Sequence, residues 1–267
     1  MQVLQRTDHR QFKLTEEDLA KFSQDGFLVI RNFCERAVCE EMLAAINSSL
    51  NPALAPVEYE AEVQYPGAPE SRLSPGGDTP RRLLNAFARD EVFRRWATAG
   101  QVGWIVKSLL GVSRVLASQN HHNCIMTKYP GYGSSTGWHQ DIRYWRFDRP
   151  DLVTLWLALG KENKQNGSLS VIPGTHRIHY DRGQFDAAYF FRTDLKQNNE
   201  LVKSSIDIEM SAGDVLFFHC RLLHCARQNH SDQVKLSVVF TYHASNNYPI
   251  AGTRSAEHPD IELRNME

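Results

Sequence analysis

The pattern of apolar and polar residues changes from helical to alternating along this chain. Near the N-terminus, Thr15–Asp18 has the form of a capping box, which predicts the start of a helix that ends at Asp25-Gly26. A short β-rich run, Phe27–Ile30, follows. Apolar residues at helical spacing predict further helices over about 35–49 and about 90–110. The first part of the chain, about 1–112, is therefore expected to be mainly helical.

From Val115 onward, short β-rich runs recur between turn signals such as Pro173-Gly174. The predicted strands are Cys124–Lys128, Leu152–Leu159, Ser168–Ile172, Ile206–Met210, Val215–His219 and Leu236–His243. This order favours a mainly β fold with flanking helices, in which a double-stranded β-helix (jelly roll, cupin-like) core spans about 113–250. A chain of 267 residues, 42% of them hydrophobic, can bury such a core as a single domain over 1–267.

Two long segments contain many polar and turn-forming residues. One is Gln64–Pro80, within a loop predicted from about 51 to 80, and the other is about Arg177–Asn199. Loops of this length in compact enzymes are commonly lids or binding loops. We expect both to be mobile without substrate and to close over the functional site when substrate binds.

Charge and cysteine content narrow the class of protein. The net charge of −1 gives no electrostatic reason to expect nucleic acid or an anionic membrane as a partner. The first seventeen residues are too polar for a signal peptide, and no apolar stretch reaches the ~18 residues that a membrane span needs. The five cysteines show no C-x-x-C spacing, which favours reduced thiols and a cytoplasmic location.

Four His-x-Asp triplets are candidates for metal binding: His139/Asp141, His179/Asp181, His230/Asp232 and His258/Asp260. Such a pair needs both side chains on one face of an extended segment. Only His139/Asp141 lies between a turn-rich segment, Tyr129–Gly137, and a long apolar run, where the mouth of a strand is expected. The other three lie in polar or proline-containing surroundings and are interpreted as solvated loops.

A second imidazole is needed to complete the site. His219 and His224 both follow the apolar run that begins at Val215, and either could reach the interior. His224 is favoured because it follows two leucines and precedes, by eleven positions, a basic residue on the next strand-like run, Lys235. Two imidazoles and one carboxylate leave open positions for a bidentate co-substrate and dioxygen, as in non-haem Fe(II) oxygenases. His121, His122, His176 and His219 are interpreted as core or loop histidines.

Lys235 is a charge within an apolar strand. A keto acid that chelates iron requires a cation for its distal carboxylate, and Lys235 could supply it. The alternative is an edge-strand lysine whose ammonium extends to solvent.

Several segments, in order and spacing, are typical of one known family. They are Phe22–Ile30, Trp138–Asp141, Asn166–His176, Ala212–Asp214, and His224 with Asn229 and Ser231 downstream. In these segments the chain resembles the phytanoyl-CoA dioxygenase family of Fe(II)/2-oxoglutarate-dependent oxygenases over nearly its whole length. It departs from the family pattern at Lys235, where an arginine is usual, and at Ala226, where a small hydroxyl residue is common.

The resemblance implies that His139, Asp141 and His224 bind iron(II) and are the catalytic centre, with 2-oxoglutarate as co-substrate. It also implies that Trp156, Cys124 and Arg81 lie where family members contact 2-oxoglutarate.

The implied activity is hydroxylation of a small organic substrate by dioxygen, with release of succinate and CO2. Two alternatives stay open: a cupin-type metalloenzyme that does not use 2-oxoglutarate, and a non-catalytic metal-binding jelly-roll module. The tract Arg143–Arg149 and the segment Tyr180–Arg192, rich in arginine and aromatic residues, suit a substrate with an anionic group and an apolar body, or else ordinary loop packing. Neither the substrate nor the oligomeric state is predicted.

Overall fold

The computed structural model describes residues 13–63 and 65–263. The helices are Glu16–Asp25 (α1), Arg36–Leu50 (α2), Ala86–Arg89 (α3), Glu91–Ala97 (α4), Gly100–Leu110 (α5) and Lys196–Val202 (α6). The strands are Phe27–Ile30 (β1), Val57–Tyr59 (β2), Pro80–Leu84 (β3), Val115–Ala117 (β4), Cys124–Lys128 (β5), Thr136–His139 (β6), Leu152–Ala158 (β7), Leu169–Val171 (β8), Ile206–Asp207 (β9), Val215–His219 (β10), His224–Ala226 (β11), Lys235–Ala244 (β12) and Ile261–Glu262 (β13).

These strands form two antiparallel sheets. The larger sheet has nine strands, in the order β1-β10-β7-β12-β5-β3-β2, with β4 beside β12 and β13 beside β4. The smaller sheet has four strands, in the order β6-β11-β8-β9. The two sheets form the jelly roll that the strand pattern predicts.

Alternation along the central strands separates two apolar clusters. On β7, β10 and β12, one set of side chains, including Leu155, Phe217 and Phe240, packs with the helices in the first cluster. The intervening residues, such as Trp156 and Phe218, belong to the second cluster, which also holds Val171 of the smaller sheet. Because successive side chains on a strand point to opposite faces, the larger sheet is covered by helices on one side and by the smaller sheet on the other.

The predicted start of the fold is confirmed in detail. The side chain of Thr15 accepts a hydrogen bond from the amide of Asp18, whose carboxylate accepts one from the amide of Thr15. Gly26 ends α1 with a φ of 82°, in the left-handed region where a side chain would be strained. β1 then enters the larger sheet beside β10.

For other predicted elements, the bounds or the strand content differ from the structure. The loop expected from about 51 to 80 contains β2, and the strand expected at Ile206–Met210 is ordered as a strand only over Ile206–Asp207. β2 and β3, which were not predicted, join the larger sheet together with the predicted β1, and β13 lies beyond the expected end of the core.

All five cysteines are buried and free. Within the described residues, no helix combines the length and apolar composition that crossing a membrane requires.

Candidate active site

Two neighbouring strands of the smaller sheet bring the predicted metal ligands together. His139 ends β6 and is the direct cross-strand partner of His224, which begins β11. Asp141 begins the 3-10 turn that follows β6, so it is not on the extended segment that the sequence suggested. All three residues are buried, and their ligand atoms lie within 4.8 Å of one another. Among the described residues this is the one group of three or more histidine, cysteine or acidic side chains close enough to bind a metal ion.

Backbone carbonyls orient both imidazoles. Nδ1 of His139 lies 2.8 Å from the carbonyl oxygen of Gly137, and Nδ1 of His224 lies 3.0 Å from that of Leu222. With Nδ1 occupied, each ring presents Nε2 to Asp141, at 3.7 Å and 3.5 Å from Oδ1 respectively. Metal-binding histidines usually donate their second ring nitrogen in this way. Two imidazoles and a carboxylate therefore fit the donor set of a non-haem iron site.

Two further side chains hold Asp141. The hydroxyl of Thr154 donates to Oδ2 over 3.1 Å, and Nε2 of His122 lies 3.1 Å from Oδ1. His122 has a φ of 42°, a left-handed conformation that is uncommon outside glycine. His122 was interpreted as a core or loop histidine and not as a metal ligand, and nothing in the sequence indicated that a loop residue before β5 would contact Asp141.

The pKa values of these groups suit metal binding. Burial acts to raise the pKa of Asp141, but His122 and His224 outweigh it and hold that pKa well below its usual range. Burial, together with His224 and Arg143, lowers the pKa of His139 well below its usual value. Burial also acts to lower the pKa of His122, but the carboxylate of Asp141 raises it to about 9. An ionised Asp141 and a neutral His139 are the forms that coordinate a metal.

The three ligands open into a cavity of about 300 Å³. Trp156 and Arg81, which the family resemblance associates with 2-oxoglutarate, both line this cavity. Arg81 is buried; it donates to Glu58 over 2.7 Å and to the hydroxyl of Thr136 over 3.2 Å. Cys124 is buried in the same apolar cluster as Trp156, but it is not among the residues that line the cavity.

Lys235 has a different environment. Its ammonium lies 3.2 Å from Oε2 of Glu162, a residue with no exposed surface. Oε1 of Glu162 accepts hydrogen bonds from the indole of Trp156, over 3.0 Å, and from the hydroxyl of Ser237, over 2.6 Å. Lys235 is 5% exposed, so it does not extend to solvent as the alternative interpretation supposed. Its charge is already compensated, and it is not among the residues that line the cavity.

The other candidates lie apart from this site. His219 contacts Asp151, at 3.4 Å, rather than the metal cluster. Asp260 of the last His-x-Asp triplet accepts from His243 over 3.0 Å. His230 is exposed, as expected for a solvated loop.

Comparison with known proteins places the chain in a family. The phytanoyl-CoA dioxygenase (PhyH) family matches residues 22–237. The probable phytanoyl-CoA dioxygenase of Caenorhabditis elegans is 24% identical over 238 residues, which are 86% of this chain and 75% of that protein. The peroxisomal phytanoyl-CoA dioxygenase of Homo sapiens is 25% identical over 81% of this chain and 64% of that protein. The ectoine dioxygenase of Bordetella bronchiseptica is 22% identical over 88% of this chain and 77% of that protein.

Solved structures show the same fold. EctD from S. alaskensis, with 2-oxoglutarate and 5-hydroxyectoine, has a TM-score of 0.73 at 18% identity and covers 97% of this chain and 90% of its own. The epimerase SnoN from nogalamycin biosynthesis has a TM-score of 0.71 at 18% identity and covers 94% of this chain and 92% of its own.

The matches confirm the predicted jelly roll and the predicted dioxygenase class, and the expected iron(II) and 2-oxoglutarate agree with the donor set of the site. The chain belongs to the phytanoyl-CoA dioxygenase family.

Proposed function

We propose that this protein is an Fe(II)/2-oxoglutarate-dependent dioxygenase that hydroxylates a small organic substrate, with iron bound by His139, Asp141 and His224. The observation that carries the proposal is the convergence of two oriented imidazoles and one carboxylate, within 4.8 Å, in the wall of a cavity. The overall reaction converts a C–H bond, dioxygen and 2-oxoglutarate into an alcohol, succinate and CO2. EctD, which shares the fold, has been crystallised with iron and with 2-oxoglutarate, which supports these cofactors.

The residues of the chain have distinct parts in this reaction. Bound iron would supply the activation of dioxygen, which side chains alone do not perform. His139 and His224 offer their Nε2 atoms, since Nδ1 of each ring lies at a backbone carbonyl, and Asp141 offers a carboxylate whose second oxygen is held by Thr154. Aromatic side chains, Trp156 among them, line the cavity, and in the proposed reaction they would limit the access of water to the reacting atoms.

Arg81 is our proposed partner for the distal carboxylate of 2-oxoglutarate. It is buried, it lines the cavity, and its planar guanidinium suits a carboxylate better than an ammonium does. Arg81 already donates to Glu58, which also accepts from Arg82, and its Nε lies 3.9 Å from Oε2 of the buried Glu60. Lys235 stays the alternative, although its charge is paired with Glu162. The contact predicted for Cys124 also stays a prediction.

Metal and co-substrate binding test the proposal directly. Anaerobic titration of the purified protein with iron(II) and then 2-oxoglutarate should produce a visible charge-transfer absorption, and aerobic incubation should produce succinate. His139→Ala and His224→Ala should lose iron binding while remaining folded, because each removes one of three protein ligands. The matched control is His230→Ala, which removes an exposed histidine of another His-x-Asp triplet and should bind iron as the parent does. Full iron binding by both ligand variants would contradict the assignment.

The substrate needs a separate search. The relatives are named for phytanoyl-CoA and ectoine, two chemically different compounds, so family membership does not select a substrate. A metabolite mixture incubated with the iron-loaded protein, 2-oxoglutarate and dioxygen should yield a species heavier by one oxygen atom. That species should be missing when 2-oxoglutarate is omitted, which also distinguishes this enzyme from a metalloenzyme that does not use the co-substrate.

A further inference from the structure

Four arginines line the metal cavity, and their charges are not equally compensated. Arg81 and Arg82 both donate to Glu58. Arg143 and Arg254 also line the cavity, but no carboxylate of the described residues lies within ion-pair distance of either guanidinium. The other acid in the lining is Asp141, whose oxygens face the metal ligands, His122 and Thr154. The cavity therefore holds positive charge that its own side chains do not balance.

Arg143 is the more deeply placed of these two arginines. It is 9% exposed, and its Nε has no hydrogen-bond partner although it is buried. The remaining nitrogens make only long contacts of 3.3 Å, with the carbonyl oxygens of Ala188 and Tyr189 and with the hydroxyl of Tyr65. A buried guanidinium usually has strong acceptors on all its nitrogens, because leaving a charged donor unpaired is costly. Arg143 is thus a charged group with free donor capacity in the wall of the active-site cavity.

Aromatic rings fix the position of this guanidinium relative to the metal site. Its central carbon lies 4.0 Å from the ring centroid of Phe190 and 4.3 Å from that of Tyr144. The same Phe190 ring packs edge-on against His139, with centroids 6.0 Å apart. One aromatic ring therefore separates Arg143 from a metal ligand. Stacked arginine keeps its planar fork of donors free for an oxyanion.

A second cavity adjoins the first at Arg143. Its volume is about 330 Å³, and Arg143, Arg146 and Arg182 line it together with Tyr180 and Tyr189. No acidic residue of the described chain is among its lining residues. The positive potential of these arginines adds to the attraction of an anion towards Arg143.

We propose that Arg143 binds an anionic oxygen group of the substrate and so determines which compounds the enzyme accepts. This inference rests on the proposed function. The contact with Arg143 would hold the anionic end of the substrate and place its apolar body beside the iron ligands. The expected substrate class is an organic acid with an apolar or aromatic body, whose carboxylate is held by the guanidinium of Arg143. Arg81 is left to the co-substrate, so the two anions have separate partners.

The test compares acids with their amides, which differ in charge but hardly in shape. Phenylacetate, 3-phenylpropanoate and 4-phenylbutanoate are titrated calorimetrically against phenylacetamide, 3-phenylpropanamide and 4-phenylbutanamide. The protein is loaded with iron(II) and saturated with 2-oxoglutarate under anaerobic conditions, so the co-substrate site is already filled. In the parent, at least one acid should bind about ten- to hundred-fold more tightly than its amide, the range expected for one charged hydrogen-bonded contact.

Three variants locate the source of that preference. Arg143→Gln should abolish it, and Arg143→Lys should retain part of it, because lysine keeps the charge but lacks the fork. Arg149→Gln is the matched control: Arg149 lies on the same tract but donates to Asn246 and lines neither cavity. It should keep the full preference. Each variant is also titrated with iron(II) and 2-oxoglutarate, and Arg143→Gln should bind both as the parent does.

The outcomes separate this inference from the proposed function. Equal binding of acids and amides by the parent, or an acid preference that survives in Arg143→Gln, would overturn the inference and leave the proposed function standing. Loss of 2-oxoglutarate binding in Arg143→Gln alone would also overturn it, since Arg143 would then serve the co-substrate. A parent protein that binds neither iron(II) nor 2-oxoglutarate would instead refute the proposed function, and the inference with it.

Discussion

Removing the ammonium of Lys235 should destabilise the protein strongly. In Lys235→Met, the carboxylate of Glu162 stays fully buried and keeps its hydrogen bonds from Trp156 and Ser237, but it loses its counter-charge. A methionine has nearly the length of the lysine stem, so little volume is lost in the strand. The variant therefore isolates the electrostatic part of the interaction.

The size of the effect follows from the distance between the two charges. Nζ of Lys235 and Oε2 of Glu162 are 3.2 Å apart. Two unit charges at this distance attract by about 5 kcal/mol at an effective dielectric constant of about 20. Breaking a buried ion pair by removing one partner costs about 3–5 kcal/mol, which agrees. For a chain of this size, such a loss lowers the melting temperature by roughly 10 °C.

Denaturant titration followed by tryptophan fluorescence or circular dichroism measures this loss. Two matched variants accompany it. Lys161→Met removes an exposed lysine beside Glu162 and should change the free energy of unfolding by less than about 0.5 kcal/mol. Lys235→Met/Glu162→Gln removes both charges while an amide oxygen still accepts from Trp156 and Ser237, so it should be more stable than Lys235→Met. A single variant that loses less than about 1 kcal/mol, or a double variant no more stable than the single one, would refute the reasoning.

The double variant also decides which residue anchors 2-oxoglutarate. If Arg81 is the anchor, the double variant should bind 2-oxoglutarate as the parent does, whereas Arg81→Gln should bind it more weakly by about 2–5 kcal/mol. If Lys235 is the anchor, the double variant should bind 2-oxoglutarate more weakly and Arg81→Gln should bind it as the parent does. Because the double variant removes the buried charge imbalance, its 2-oxoglutarate affinity is not confounded by unfolding.

Three further outcomes can be measured. Burial, aided by His219, lowers the pKa of His176 to about 4, so between about pH 6.5 and pH 4 the unfolded chain binds a proton that the folded chain does not. The free energy of unfolding should therefore fall as the pH drops through this range. The fall should be smaller in His176→Gln. Gly26→Ala should lower the free energy of unfolding by at least about 1 kcal/mol, because its φ is 82° and a Cβ would lie 2.4 Å from Nδ1 of His176; unchanged denaturation would contradict this. Hydrogen exchange should be fast in the predicted lids, Gln64–Pro80 and about Arg177–Asn199, and slower with substrate bound, so slow and unchanged exchange would argue against lids; Gln64 lies outside the described residues.

The hydrophobic pattern and the capping and turn residues of the sequence were enough to predict helix ends, tight turns and several of the strands. The capping box at Thr15, the left-handed Gly26 and strands such as Cys124–Lys128 were predictable because helix ends, turns and period-2 alternation are encoded in a few neighbouring residues. Among the strands that were not predicted are β2, β3 and β11. β8 is as short as β2 and β11 and was predicted, because its apolar residues stand between turn signals. β2 and β3 lie in or at the end of a segment interpreted as a loop, and β11 is held by its pairing with β6 and β8.

The site divides in the same way. His139 and Asp141 could be selected because they lie between a turn-rich segment and a long apolar run, and His224 because it follows two leucines after another such run. Glu162 could not, because its burial depends on Trp156, Ser237 and Lys235, of which the last two lie more than seventy positions away. Because Glu162 pairs with Lys235, the role proposed for that lysine changes from an anchor for 2-oxoglutarate to a partner in a buried ion pair. A charge in a strand can be interpreted only when its counter-charge is known.

The pairing of His139 with His224 across β6 and β11 makes the metal site a property of strand alignment as well as of residue type. A shift of β11 by one residue would place Cys225 opposite His139 and turn the second imidazole to the other face of the sheet. An insertion or deletion of a single residue between His219 and His224 would therefore abolish activity even though all three ligand residues remain in the sequence. Among relatives of this chain, loss of activity should be sought in the spacing around β11 as well as in the ligands themselves.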